Sequence, residues 1–199
     1  MADTNALTFK LLLVGDGGVG KTSLVHSLRD QTFDTSVEST VGVEFSILPV
    51  TIDDTNINLH IWDTAGQEVY RALSRSYYRD AIGVLLLFAF NDHQSFDSLE
   101  EWMSNIKSLC HPKARVILVG NKTDLAESRA VTRPEIDRFA SANGITFIET
   151  SAKASTNVRE AFYKLAQDVL NGIKSNEIRL EQQTGEPVPT KKEDKKCCN

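Results

Sequence analysis

The sequence predicts an α/β fold, a doubly wound and mostly parallel sheet with one antiparallel hairpin. Three observations carry this. Residues 81–90 and 116–119 are unbroken apolar runs, as expected of strands covered on both faces and joined by helical crossovers. Phe96, Leu99, Met103 and Ile106, and again Val158, Ala161, Phe162, Leu165, Ala166 and Val169, recur at helical spacing. Residues 43–50 and 56–62 read as a hairpin around Asp53-Asp54-Thr55. Its second arm alternates Ile57, Leu59 and Ile61 with Asn56, Asn58 and His60, so one face is buried.

Taken in order, residues 8–14 form an apolar strand and residues 23–29 suit a helix without Gly or Pro. Between them, Gly15-Asp16-Gly17-Gly18-Val19-Gly20-Lys21-Thr22 places two glycines five apart before Lys and Thr. The glycines permit backbone angles closed to other residues, so successive N–H groups turn inward on one anion at the positive end of a helix. Gly15, Gly17, Gly18, Val19, Gly20, Lys21, Thr22 and Ser23 are thus candidate nucleotide contacts. Lys21 adds a point charge at the outer phosphates, and Thr22 a hydroxyl for magnesium. Residues 30–40 read as a polar loop able to move, with Phe33 its one large apolar residue. An irregular stretch follows 63–67 as far as Tyr78. A further helix opens at Thr132-Arg133-Pro134-Glu135, a capping box. After about Leu170 the composition turns polar, so residues 1–172 are expected as one domain and 173–199 as a flexible tail unable to bury a core.

At 199 residues with 41% apolar content, the chain has material for one sizeable core, and a net charge of −5 argues against a general nucleic-acid binder. The longest apolar run is about half of the ~20 residues that span a bilayer. Residues 1–5 carry neither a basic region nor an apolar signal core, so a reducing cytosol is the expected compartment. Three cysteines and four histidines give no disulfide framework and no metal-ligand spacing; Cys110 and His111 read as helix-end residues.

Four more segments fall at strand ends, where open α/β sheets bind ligands. Asp63 is placed to hold magnesium through water, Gly66 to offer an N–H to a γ-phosphate, and Gln67 to orient attacking water. Thr40 could supply a second hydroxyl to the metal. In Asn121-Lys122-Thr123-Asp124, the Asp124 carboxylate can only accept hydrogen bonds, which suits the N1–H and 2-amino donors of guanine and leaves adenine unmatched. Ser151-Ala152-Lys153 could add backbone N–H groups to the guanine oxygen, with the Lys122 and Lys153 stems flanking the ring. Each tetrad alone is equally an ordinary polar loop; their order and spacing behind a phosphate loop favour the nucleotide site.

Over roughly residues 8–170 the chain resembles the Ras superfamily of small GTPases, and within it the Rab family. Rab-like marks are Val41-Gly42-Val43-Glu44-Phe45, Ile61-Trp62-Asp63-Thr64-Ala65-Gly66-Gln67-Glu68, Tyr77-Tyr78-Arg79 and the cysteine pair Cys197-Cys198. The resemblance implies a six-stranded P-loop GTPase domain, a monomer that binds GTP and GDP with magnesium. It also implies switching at 34–45 and 67–78, an exchange factor, an activating protein, effectors, and service in vesicle traffic. Phe33 stands where the family sets an aromatic ring against guanine. Val37, Val69 and Ala89 depart from the usual Tyr, Arg and Asp, and Gly17 leaves room beside the γ-phosphate.

Adjacent cysteines gain little as a disulfide in a reducing cytosol, and no further zinc ligand sits nearby. The four-residue prenyl box would need Cys where Lys196 stands. Cys197 and Cys198 resemble the Rab signal for two geranylgeranyl groups. That implies the cytoplasmic face of an intracellular membrane, with cycling through the cytosol on a prenyl-binding chaperone of the GDP dissociation inhibitor type. Two other readings of the site stand beside the switch: an ATP-dependent P-loop kinase and a nucleotide-binding scaffold that does not hydrolyse.

Overall fold

The computed structural model describes residues 6–30, 40, 42–64 and 76–180. The elements run β1 (Leu7–Val14), α1 (Lys21–Asp30), β2 (Val43–Ile52), β3 (Thr55–Thr64), β4 (Gly83–Ala89), α2 (His93–Asp97), α3 (Leu99–Leu109) and β5 (Arg115–Asn121). A 3₁₀ turn (Thr123–Ser128), α4 (Arg133–Asn143), β6 (Thr146–Glu149) and α5 (Val158–Lys174) complete the order. The six strands form one sheet in the order β2-β3-β1-β4-β5-β6, with β2 and β3 antiparallel and every other pair parallel. The expected sheet and its single hairpin are both present.

Strand β1 explains why its sequence shows no polar alternation. Phe9, Leu11 and Leu13 point into a core shared with α1 and α5, while Leu12 and Val14 point into a second core shared with α3 and α4. Each such fully buried aliphatic side chain contributes roughly 1.5–3 kcal/mol. Parallel register then sets the strand ends side by side: Leu13 beside Asp63, Val14 beside Leu86, and Ala89 beside Asn121. The carboxyl edge of the sheet therefore collects the loops after β1, β3 and β5. The chain winds outward in both directions from β1 and β4, so this edge is where a ligand groove opens.

Three details differ from the sequence expectation. The hairpin arms are longer, reaching Ile52 and Thr55, because Asp53 (φ 46°) and Asp54 (φ 57°) make the whole turn in left-handed conformations. The helix marked by Phe96 to Ile106 is two helices parted at Ser98. The packing also continues past residue 172. Ile178 is buried in the first core, the N–H groups of Glu177 and Ile178 both donate to the Gly172 carbonyl, and Arg115 holds the Glu177 carboxylate at 2.6 Å. A Cβ at Gly172 would sit 2.8 Å from Ile178, so the fold-back depends on that glycine. One isoleucine among polar neighbours was too weak a compositional signal to extend the domain. The capping box is as expected in that the Glu135 carboxylate accepts from the Thr132 N–H at 2.8 Å, and Cys110 does cap α3.

Candidate functional site

The loop between β1 and α1 is pressed against its neighbours. A Cβ at Gly15 (φ +144°) would come within 2.3 Å of the Leu87 carbonyl oxygen, and one at Gly20 (φ +95°) within 2.5 Å of the Asn121 amide. Only glycine satisfies both the angle and the approach. Gly17 and Gly18 are exposed at the rim, the Val19 side chain is fully buried beneath, and Ser23 is half-buried in the first turn of α1. Lys21, 5% exposed, donates from Nζ to the carbonyls of Gly15 and Asp16, each at 2.8 Å. Burial lowers its pKa to about 8, against the opposing pull of Asp63 and Asp16. A cation is thus held inside a ring of backbone at a helix N-terminus that bears no acidic residue in its first turn.

Thr22, Thr40 and Asp63 come from three separate segments and meet. Thr40 Oγ1 lies 2.6 Å from Thr22 Oγ1, which donates to Asp63 Oδ2 at 2.6 Å. Asp63 is 2% exposed, and its other oxygen, Oδ1, is buried with no hydrogen-bond partner. Desolvation by burial raises its carboxyl to about 6, despite the Thr22 hydroxyl and the Lys21 charge; Glu44, its cross-strand neighbour on β2, adds repulsion. Two hydroxyls and a buried carboxylate with an orphaned oxygen are a hard, all-oxygen donor set, the chemistry that suits magnesium. The residues fit the ion.

Around the base motifs, Asn121 is the hub. Its Nδ2 donates to the Val19 carbonyl at 2.9 Å, and its Oδ1 accepts from the Thr150 hydroxyl (3.1 Å) and the Ala152 N–H (3.2 Å). One buried amide thereby ties the phosphate loop to both later loops. Lys122 adopts φ 68°, ψ 40°, a left-handed step that turns the chain into the 3₁₀ turn. Ser151 donates to Asp124 Oδ1 at 2.6 Å while accepting the Ala154 N–H at 3.0 Å. Lys153 is exposed. Asp124 is exposed too, because the 3₁₀ turn carries it to the surface end of its loop.

Phe33, Gly66, Gln67, Val37, Val69, Cys197 and Cys198 lie outside the described residues. Ala89 is buried, and its N–H donates to the Ser95 hydroxyl at 3.0 Å. Sequence reasoning missed Thr150, which braces Asn121, and the contacts of Asp16. The Asp16 carboxylate accepts from the Ser98 hydroxyl and from the Trp102 indole N–H, each at 2.7 Å. The available signal was an acid inside an anion-binding loop.

A doubly wound sheet with a glycine loop, a buried lysine and a hydroxyl–carboxylate cluster at its carboxyl edge defines the class of P-loop nucleotide-binding proteins. Residues 10–171 match the sequence model of the Ras family. The chain is similar to Ras-related protein Rab-8B of Homo sapiens, 41% identical over 173 residues covering 87% of this chain and 84% of the relative. It is similar to Ras-related protein Rab-13 of Rattus norvegicus, 41% identical over 192 residues covering 95% of each, and to Ras-related protein Rab-4B of the same species, 42% identical over 182 residues covering 92% and 85%. The chain belongs to the Rab family of Ras-like small GTPases. It is a GTPase, which sets aside the kinase and the non-hydrolysing scaffold, and its family works with regulators and effectors in vesicle traffic. Among the described residues no helix is long and apolar enough to cross a membrane.

Proposed function

We propose that the loop 15–22 holds the GTP phosphates, that Asp124 and the 151–153 loop read guanine, and that Thr22, Thr40 and Asp63 hold magnesium. The observation that carries this is the meeting of those three side chains beside Lys21, with one Asp63 oxygen lacking any partner. Magnesium there would neutralise charge on the β- and γ-phosphates. Lys21 exchanges two carbonyl partners for phosphate oxygens, and the N–H groups of the loop orient the chain of phosphates for in-line attack. Gln67 orients the water. Because Thr40 and Asp63 border the segments 31–39 and 65–75, ligation by Thr40 would report the third phosphate to the surface that partners read. Phe45, Trp62 and Tyr77 stand in a row, with centroids 4.8 and 5.4 Å apart, and Phe45 and Trp62 lie close to Thr40 and Asp63 in sequence rather than on the phosphate loop.

Intrinsic hydrolysis on the order of 10⁻⁴ per second is expected, rising ~10³- to 10⁵-fold when an activating protein supplies an arginine. Gln67→Leu should remove most of that stimulation while leaving nucleotide affinity nearly intact; unchanged single-turnover phosphate release would refute the role given to Gln67. For the tail, two geranylgeranyl groups on Cys197 and Cys198 would anchor the protein to the cytoplasmic face of an intracellular membrane, with extraction by a prenyl-binding chaperone. At ~0.8 kcal/mol per buried methylene, one chain binds reversibly and two hold firmly. Intact mass of the protein from eukaryotic cells, with fractionation of the Cys197→Ser/Cys198→Ser variant, tests this. An unmodified chain still on membranes would overturn it.

A further inference from the structure

We propose that Ser98 and Trp102 are positioning residues for the nucleotide, acting by holding the Asp16 carboxylate away from the phosphates. Asp16 lies between Gly15 and Gly17 in the loop that, on the reading above, wraps a triphosphate. A carboxylate free to swing toward that ligand would repel it. In the structure both its oxygens are taken from the opposite side. Trp102 Nε1–H donates to Oδ1 and the Ser98 hydroxyl to Oδ2, each at 2.7 Å.

Both donors have reason to stay. Trp102 is 8% exposed within the second core, where a buried indole N–H calls for an acceptor such as the Asp16 carboxylate. Ser98 carries a single proton and stands 2.7 Å from the carboxylate but 3.1 Å from the Gln94 carbonyl, so the shorter, charge-assisted bond prevails. The consequence reaches the ligand side of the same residue. The Asp16 carbonyl is one of the two oxygens that seat Lys21 Nζ. The clamped residue is thus the one whose backbone borders the buried lysine. The clamp comes from α3, on the face of the sheet opposite α1, so it couples a helix with no ligand contact of its own to the phosphate loop.

A tether that merely bound α3 to the sheet would predict the same loss of stability on mutation but a different double mutant. The full chain is loaded with magnesium and a fluorescent GDP analogue, and release is chased with excess GDP. Trp102→Phe, which keeps the ring and removes the N–H, should release about tenfold faster, tenfold being about 1.4 kcal/mol. Ser98→Ala should release ~3-fold faster. Adding Asp16→Ala to either variant should slow release again toward wild type, because the freed charge is gone. Release as fast as or faster than the single variants in both doubles, or wild-type rates in both singles, would overturn the clamp. Should Trp102→Phe fail to fold, the Ser98→Ala and Asp16→Ala/Ser98→Ala pair decides by the same criterion. A wild-type chain that does not retain the GDP analogue would instead overturn the nucleotide assignment of the loop, and the clamp with it.

Discussion

At the base end of the groove, Asn121 has both ends of its amide engaged, Thr150 and Ala152 brace it, and Ser151 already holds one oxygen of Asp124. At the phosphate end, Asp63 keeps a buried oxygen with no partner and is pushed up to about 6, while Lys21 is pushed down to about 8 among carbonyls. The first region is a finished network of mostly neutral groups, rigid before any base arrives. The second holds opposite charges that burial penalises and that a phosphate and a divalent cation would satisfy. On the proposed nucleotide reading, selectivity is thus built into the scaffold, whereas affinity and switching depend on what the ligand completes.

The two ends of the groove differ most visibly at Asp124. Asp124→Asn should lower the preference for guanine over xanthine nucleotides by ~10⁴, since a site built around particular donors and acceptors rejects a mismatched base by that order. Competition against a fluorescent GDP analogue measures it, and equal competition by GTP and ATP in the wild type would remove guanine recognition from this loop. Ser151 stays in place in this variant, so the fold should survive. A smaller effect follows from Thr22→Asn at the other end. It should weaken GTP about 10- to 100-fold relative to GDP, as expected when a ligand of the bridging metal is lost. Equal loss for both nucleotides would mean that Thr22 serves the protein alone.

Legibility in the sequence follows the same divide. The central strands were readable because they are buried on both faces, as with Leu11 to Val14, the hairpin because its second arm alternates, and the loops because Gly15, Asp63, Asn121 and Ser151 fall one to three residues past apolar runs. What stayed hidden was contact between residues far apart in sequence. Thr150 with Asn121, Trp102 with Asp16, and Glu177 with Arg115 are set by register and helix docking, which no local pattern encodes. The exposure of Asp124 escaped for a similar reason, since the 3₁₀ turn at Thr123–Ser128 owes its place to the left-handed Lys122. A positive φ at a lysine leaves no compositional trace.

A third expected effect sharpens the charge argument at the phosphate end in protein stripped of nucleotide and magnesium. Asp63 has its pKa raised to about 6 from 3.8, chiefly by burial. Between these values the folded chain binds a proton that the unfolded chain has lost, so this group's contribution is fully present below about pH 4 and disappears as pH rises through about 6. Lys21, lowered from 10.5 to about 8, behaves inversely: its contribution is present at high pH and lost as pH falls through about 8. Near pH 7 both groups stand in their charged, penalised forms, and the stripped loop is at its weakest. Asp63→Asn removes the first contribution without changing the side chain's size. The melting temperature of the stripped wild type should therefore fall relative to that of the variant between pH 4.5 and 7. The shift should be ~4–8 °C, as for about 2 kcal/mol in a domain of this length. A difference that stays constant across that range would mean that Asp63 keeps its charge at no cost, and that the two ends of the groove do not differ in the way their burial implies.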